Sequence, residues 1–367
     1  MSSKPTVLVA MSGGVDSAVA LLKIIEMGYN AIGVTMKLWE YKQVGGNVLK
    51  DTNCCAIESI NNAKLVCERL GVPHYTIDFT EDFKEKVIDN FVDEYLSGRT
   101  PNPCVRCNSY VKWDTFIEQA DKLGATYIAT GHYAIIKKEN NKYHIEKGKD
   151  EHKDQSYVLW GIPRETLSRT ILPLGDLTKK EVRAIARKNN FENADTPESM
   201  EICFIPDNDY KRFIREYAKD DINHLKNEEG KTLNEKGEEI GVNDGYINYT
   251  IGQRKGIGLT NPDPLYVKKI DANSNTITVS EKKSLFKDKC KVSKINWLIE
   301  TPAFPLNLDC QIRYNGYISK ASIDSINQDY IVSFDEPQLA ITPGQSIVFY
   351  NKNQLLGGGI IELINEA

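Results

Sequence analysis

The sequence has too little of several things for whole classes of protein to apply. No apolar stretch approaches the roughly 20 residues needed to cross a bilayer, so a membrane-spanning role is not expected. Eight cysteines in 367 residues are too few for a disulfide-built scaffold, and the five histidines are scattered without metal-ligand spacing. Positive charge is not in excess either. Net charge is −5, so no global basic field draws in nucleic acid, and any phosphate contacts must come from local patches. Internal repeats and low-complexity linkers are missing. The first residues, MSSKPTVLVAMSGG, lack a basic segment leading into an apolar run and read as the approach to a strand. A soluble, cytoplasmic protein is the expectation, and 41% hydrophobic with 26% charged residues suits one.

What is present is organised. TVLVAM (6–11) is a continuous apolar run of the kind a buried parallel strand requires, and VDSAVALLKIIEMG then reads as a buried helix ending near Gly28. AIGVTMKLW, HYTIDF and YIATGHY are further strands, separated by helical stretches such as AIESINNAKLVCERLG. Such alternation predicts an α/β unit, a doubly wound parallel sheet with helices on both faces. TKKEVRAIARKNN carries a capping-box spacing from Thr178 to Glu181 and looks like the last helix of that unit. Residues 207–245 are polar and suit a small helical piece plus hairpins. From about Lys289, short β runs (KVSKINWLI, CQIRYN, YIVSFD, QSIVFY, GGGIIEL) recur between turn signals, as in a small barrel. Three domains are expected: 1–205, a central α+β domain at 206–280, and a C-terminal β-barrel at 281–367.

SGGVDS, Ser12 to Ser17, sits where the first strand turns into a helix. Two glycines let the backbone approach a ligand, and the following N–H groups point out of a helix N-terminus, which makes a pyrophosphate cradle. A tight Gly-Gly turn with no ligand is the plain alternative. The loop is neither a Walker A nor a G-x-G-x-x-G motif. Gly230–Lys231–Thr232 imitates the end of a Walker A loop, but Leu225 stands where its first glycine belongs. Two cysteines at C-x-x-C spacing, Cys104 and Cys107, follow two prolines in TPNPCVRCN. Alone they are half a zinc site without a second half, a redox pair, or a nucleophile with a neighbour. Cys67, Cys290 and Cys310 read as core residues, and Cys54 and Cys55 are left unassigned.

SGGVDS resembles the PP-loop of ATP pyrophosphatases, which cleave ATP between the α and β phosphates and adenylate a carbonyl oxygen. RTPNPCVRCN, ATGHYA, KDQSYVL, SMEICFIP, YTIGQRKGIGL, IRYNG and ITPGQSIVFY together resemble the tRNA-specific 2-thiouridylases, from residue 6 to residue 350. The resemblance implies an adenine nucleotide alpha hydrolase-like fold and ATP-dependent 2-thiolation of the wobble uridine (U34) of tRNA, with the Lys, Glu and Gln isoacceptors as family substrates. It implies ATP held by Ala10, Met11, Ser12, Gly13, Gly14, Val15, Asp16 and Ser17, with Asp16 on Mg²⁺, Met36 at the adenine and Gly131 closing over the nucleotide.

It further makes Cys107 the catalytic cysteine and Cys203 the carrier of a persulfide charged by a donor protein, a cysteine desulfurase or a relay carrier. The cycle would end in a Cys107–Cys203 disulfide. The tRNA would meet Asn102, Pro103, Cys104, His132, Lys153, Asp154, Gln155, Arg313, Tyr314 and Gln345. Cys104 leaves an alternative open: with Cys107 and Cys203 it would supply three thiolates for an iron–sulfur cluster with one open iron. Against these stand an ammonia-using synthetase, a non-catalytic RNA-binding protein, and an enzyme adenylating a sulfur-carrier protein. The cysteine pair and the RNA-facing motifs favour thiolation over all three.

Overall fold

The computed structural model describes residues 4–40, 57–197, 202–219, 229–326 and 329–364. Cys54 and Cys55 lie outside them, as do residues 199–201 of SMEICFIP and position 225. In chain order the first elements are β1 (Thr6–Ala10), α1 (Val15–Glu26), β2 (Asn30–Lys37), α2 (Ile57–Arg69) and β3 (His74–Asp78). Two long helical runs follow. In α3, the segments Thr80–Phe83, Lys84–Asp89 and Asn90–Leu96 join end to end; in α4, Pro103–Arg106, Cys107–Thr115 and Phe116–Lys122 do. The middle segment of each is wound as a wider π-helix. Then come β4 (Tyr127–Ala129), β5 (Ala134–Glu139), β6 (Lys142–Lys147), β7 (Thr170–Ile171) and α5 (Lys179–Lys188).

The first sheet has the order β3-β2-β1-β4-β7, and all of its neighbours are parallel. Side chains alternate across it as a strand requires. Val7 and Val9 enter the apolar cluster under α1 and α5, while Leu8 enters the opposite cluster with α3 and α4. The sheet is therefore doubly wound, as the strand–helix alternation predicts. Strand order reverses between β1 and β4, so a crevice opens beyond the C-terminal ends of those two strands, where open α/β sheets bind ligands. The capping box of α5 is formed, with the Thr178 hydroxyl accepting from Glu181 N.

Next come α6 (Tyr210–Tyr217), β8 (Gly230–Leu233), β9 (Glu239–Asn243), β10 (Tyr266–Asp271) and β11 (Thr276–Ser280), the strands forming a sheet of order β10-β11-β8-β9. The Walker-like GKT thus lies in a strand rather than in a loop. Phe213 of α6 meets Phe204 and Phe91 edge-on, which ties the central unit to α3. The last strands are β12 (Phe286–Trp297), β13 (Leu306–Gln311), β14 (Ser319–Ile326), β15 (Asp329–Leu339), β16 (Ser346–Asn351) and β17 (Gln354–Glu362). Their order β12-β15-β14-β13-β16-β17 closes through pairing of β12 with β17, giving a six-stranded antiparallel barrel. Its core includes Cys290, Cys310, Ile323, Val332 and Phe349.

The β5–β6 hairpin departs from the sequence reading. It leaves the first unit and adds to the barrel, pairing Ile145 with Leu355. Its turn is made by Asn140 and Asn141, both at positive φ.

Candidate functional site

The SGGVDS turn is organised from within. Ser12 N donates to Ser17 Oγ at 3.2 Å, and Ser17 Oγ donates to Gly14 O at 2.9 Å. Gly13 has φ +80°, and a Cβ there would lie 2.2 Å from Ser59 O, so only glycine fits. From across the fold Asn193 Nδ2 donates to Gly13 O at 2.7 Å. Gly14 is the N-cap of α1 and offers no side-chain cap. The first turn of that helix is therefore built to meet an anion from outside.

A cavity of about 220 Å³ opens against this turn, at the strand-order reversal. Ala10, Met11, Ser12, Asp16 and Ser17 line one side, Met36 another, and Gly131 with His132 a third. Gly13, Gly14 and Val15 form the turn itself. His132 and Gln155, which the resemblance gives to tRNA, line the same cavity as the phosphate loop. Gln155 is fixed there twice over: its Oε1 accepts from Tyr133 N at 3.0 Å and its N donates to Tyr133 O at 2.9 Å.

Two lysines escaped the sequence reading. Lys179, at the start of α5, is buried and places Nζ 2.8 Å from both carboxylate oxygens of Asp16, and Tyr133 OH donates to Asp16 Oδ1 at 2.7 Å. The Thr178 cap that was legible orients that lysine, but nothing in the spacing pairs it with Asp16. Lys112 lines the cavity from α4. It stands five residues after Cys107, a separation that an α-helix turns to another face and the wider winding of Cys107–Thr115 brings closer to alignment. Burial, followed by the charge of Lys112, holds His132 well below the ordinary histidine range, so its imidazole is neutral. Thr130 Oγ1 lies 2.7 Å from its Nδ1.

Cys107 is buried, Cys203 half-buried and Cys104 exposed. Asn102 is the N-cap of α4, accepting from Val105 N at 3.3 Å, and Pro103 takes the first helical position, so the thiol-bearing segment starts at a defined point. Cys203 packs against the cluster that contains Cys107, and buried Phe204 beside it meets Phe83, Phe91 and Phe213. Among the described residues, no three of His, Cys, Asp or Glu are arranged to hold a metal ion. As placed, Cys104, Cys107 and Cys203 do not fit a cluster. Burial pushes the thiols of Cys67 and Cys310 up to about 12, and that of Cys290 upward too, as core residues require.

The remaining RNA-assigned residues lie along the seam with the barrel. Asp154 is spent on its own turn, accepting from Gly148 N at 2.9 Å and Ser156 Oγ at 2.7 Å, beside half-buried Lys153. Tyr314 OH donates to Asp154 O at 3.1 Å, Arg313 Nη2 to Ala340 O at 2.7 Å, and Gln345 Nε2 to the carbonyls of Thr100 and Pro101. No helix among the described residues is long and apolar enough to cross a membrane.

A strand, a glycine turn and an uncapped helix at the reversal of a parallel sheet define the PP-loop class of ATP-using α/β proteins. Family models match as a tRNA methyl transferase HUP domain over residues 5–207, a tRNA methyl transferase PRC-barrel domain over 222–281 and an aminomethyltransferase β-barrel domain over 287–361. The tRNA-specific 2-thiouridylase MnmA of Carboxydothermus hydrogenoformans is 46% identical over 362 residues, 97% of either chain. That of Salinibacter ruber is 46% identical over 379 residues, covering all of this chain and 97% of its own. The chain belongs to the tRNA-specific 2-thiouridylase family.

Proposed function

We propose that this protein thiolates the wobble uridine of tRNA at position 2, using ATP to activate the oxygen and a cysteine persulfide to replace it. The observation that carries the reading is the reach of α4: Lys112 enters the phosphate-loop cavity and Cys107 stands five residues before it on the same wide-wound segment. Nucleotide and thiol chemistry are thereby brought to one element.

Uracil O2 attacks the α-phosphorus of ATP and pyrophosphate leaves, with the charge on the phosphates met by the α1 N-terminus and Lys112 while Lys179 offsets Asp16. A poor leaving group has become AMP. The terminal sulfur of a Cys203 persulfide then attacks C2 and expels AMP, leaving a C2–S–S–Cys203 linkage. The Cys107 thiol loses its proton and attacks Cys203 Sγ. The S–S bond breaks, 2-thiouridine departs, and the two cysteines end as a disulfide that a cytosolic thiol reduces. The base must leave its stack to reach these groups.

Mg²⁺ binds through one or two carboxylates plus phosphate oxygens, so it would come to the site on the nucleotide and meet Asp16, the carboxylate of the cavity lining, whose oxygens Lys179 and Tyr133 also engage. It would supply charge to the departing pyrophosphate. A cluster on the three cysteines has no such support. The donor charging Cys203, the Lys, Glu and Gln tRNAs as substrates, a cytoplasmic setting and domain limits near 205 and 280 belong to this same reading.

The test is a single-turnover reaction of persulfide-loaded, iron-free enzyme with unmodified tRNA and Mg-ATP, followed by nucleoside mass spectrometry. A gain of sulfur for oxygen in uridine is expected. A methylated uridine, or ATP cleaved with no change in the base, would overturn the assignment.

A further inference from the structure

We infer that the C-terminal barrel is part of the catalytic scaffold, clamping the cysteine-bearing loop, and that Gln345 is a positioning residue for Cys107. The inference rests on Cys107 as nucleophile.

Between α3 and Cys107, the chain sends the backbone hydrogen bonds of Thr100 and Pro101 to the barrel. Thr100 N donates to Pro343 O at 2.9 Å. Gln345 Nε2 donates to Thr100 O at 3.1 Å and Pro101 O at 3.0 Å, which occupies both hydrogens of that amide. Gly344 between them has φ +88°, and a Cβ there would come within 2.8 Å of Thr100 O, so the turn closes on the loop only with glycine. One residue upstream, Arg99 forks between the two units. Its Nε donates to Glu94 Oε2 of α3 at 2.6 Å, and its Nη2 to Glu362 Oε1 of β17 at 3.0 Å.

From Pro101 to Cys107 the chain has little freedom. Pro101 and Pro103 are buried with fixed φ, Asn102 caps the helix, and Cys107 follows within it. Displacing the carbonyls of Thr100 and Pro101 therefore displaces the thiol. The same barrel edge also accepts the Tyr157 hydroxyl at Ser346 O, 2.8 Å away, just after Gln155 enters the nucleotide cavity. One barrel edge thus sets the thiol loop and a wall of the ATP site in a common frame.

The test is Gln345→Met, which keeps length and loses both donors, with Gly344→Ala as a second variant acting on the same contact. Iodoacetamide labelling of Cys107 in the nucleotide-free full-length enzyme reads loop order, single-turnover thiolation reads catalysis, and filter binding reads tRNA affinity. Faster labelling of Cys107 and a thiolation rate lower by about 10²-fold are expected, the scale of loss for a reacting group misplaced by an ångström. Affinity for tRNA should stay within about twofold in Gly344→Ala, which removes no group assigned to RNA, since displacing the thiol moves kcat rather than uniform binding. Unchanged labelling and rate with weakened tRNA binding would make Gln345 an RNA contact and overturn the clamp. So would wild-type behaviour of both variants in the labelling assay. Labelling needs no thiolation, so failure of the catalytic reading of Cys107 would show separately, as a normal rate in Cys107→Ser.

Discussion

Lys179 Nζ sits 2.8 Å from each carboxylate oxygen of Asp16, joining the phosphate loop to a helix more than a hundred and sixty residues later. The pair does more than close the fold. A bare carboxylate in the mouth of a triphosphate site would repel its ligand, and the buried ammonium cancels that charge. Lys179→Met should therefore expose ATP to an uncompensated Asp16. Pyrophosphate release should fall by about 10²-fold or more, the loss usual for one preorganised charge at a reacting phosphate. Lys179→Arg should retain part of it. Release measured at saturating tRNA against ATP concentration decides the point, and an unchanged dependence on ATP would reduce the pair to a structural ion pair.

In the proposed reaction Lys112 serves the nucleotide half and Cys107 the sulfur half. It lines the nucleotide cavity while Cys107 lies on the same segment. Lys112→Ala should slow ATP cleavage by roughly tenfold to a hundredfold, as loss of one charge-assisted contact to a phosphate does. Labelling of Cys107 should not change. Rapid-quench measurement of AMP formation checks the first statement and alkylation kinetics the second. Faster labelling would mean that the lysine holds the helix rather than the phosphate.

His132 gives the pH dependence. Burial is the larger cause of its lowered pKa and Lys112 the smaller, so the folded protein holds it neutral where the unfolded chain takes up a proton. Its contribution to stability is complete above the unfolded value near 6.5 and is lost as pH falls below it, at about 1.4 kcal/mol per pH unit for one proton. His74 is shifted the same way, chiefly by burial, and adds to the slope. Urea melts at pH 7, 6 and 5 should show declining stability, with a shallower decline in His132→Asn. Equal slopes in the two proteins would contradict the burial argument.

The sequence made the first unit legible because its chemistry is local. An apolar strand, two glycines and a helix start within a dozen residues specify the turn, and Thr178 with Glu181 specify a cap. Contacts between distant segments were not legible. Nothing near Lys179 announces Asp16, and nothing near Gln345 announces Thr100; such pairs exist only once the sheet reverses and the barrel closes. The wide winding of Cys107–Thr115 was hidden for a related reason, since π-type turns are rare and lack a residue pattern of their own. The β5–β6 hairpin did leave a signal, paired asparagines between alternating residues, and its attachment to the barrel is again a long-range event.

The three cysteines should divide by role, and the division tests the relay residue by residue. Cys104 is exposed, one helical turn before a buried Cys107, while Cys203 is half-buried against the cluster that holds Cys107. In the proposed sequence Cys203 carries sulfur, Cys107 resolves the linkage, and Cys104 exchanges no electrons. Cys107→Ser should then stop thiolation after adenylation: pyrophosphate is released, and the base stays disulfide-linked to Cys203 on a non-reducing gel. Cys203→Ser should release pyrophosphate with no linkage at all. Cys104→Ser, which removes a thiol that makes and breaks no bond in the relay, should thiolate within about threefold of wild type. Sulfur transfer lost equally in all three variants would require Cys104 in the chemistry and would break the relay, because Cys107 and Cys203 already supply both electrons that the transferred sulfur takes up and leave no step for a third cysteine.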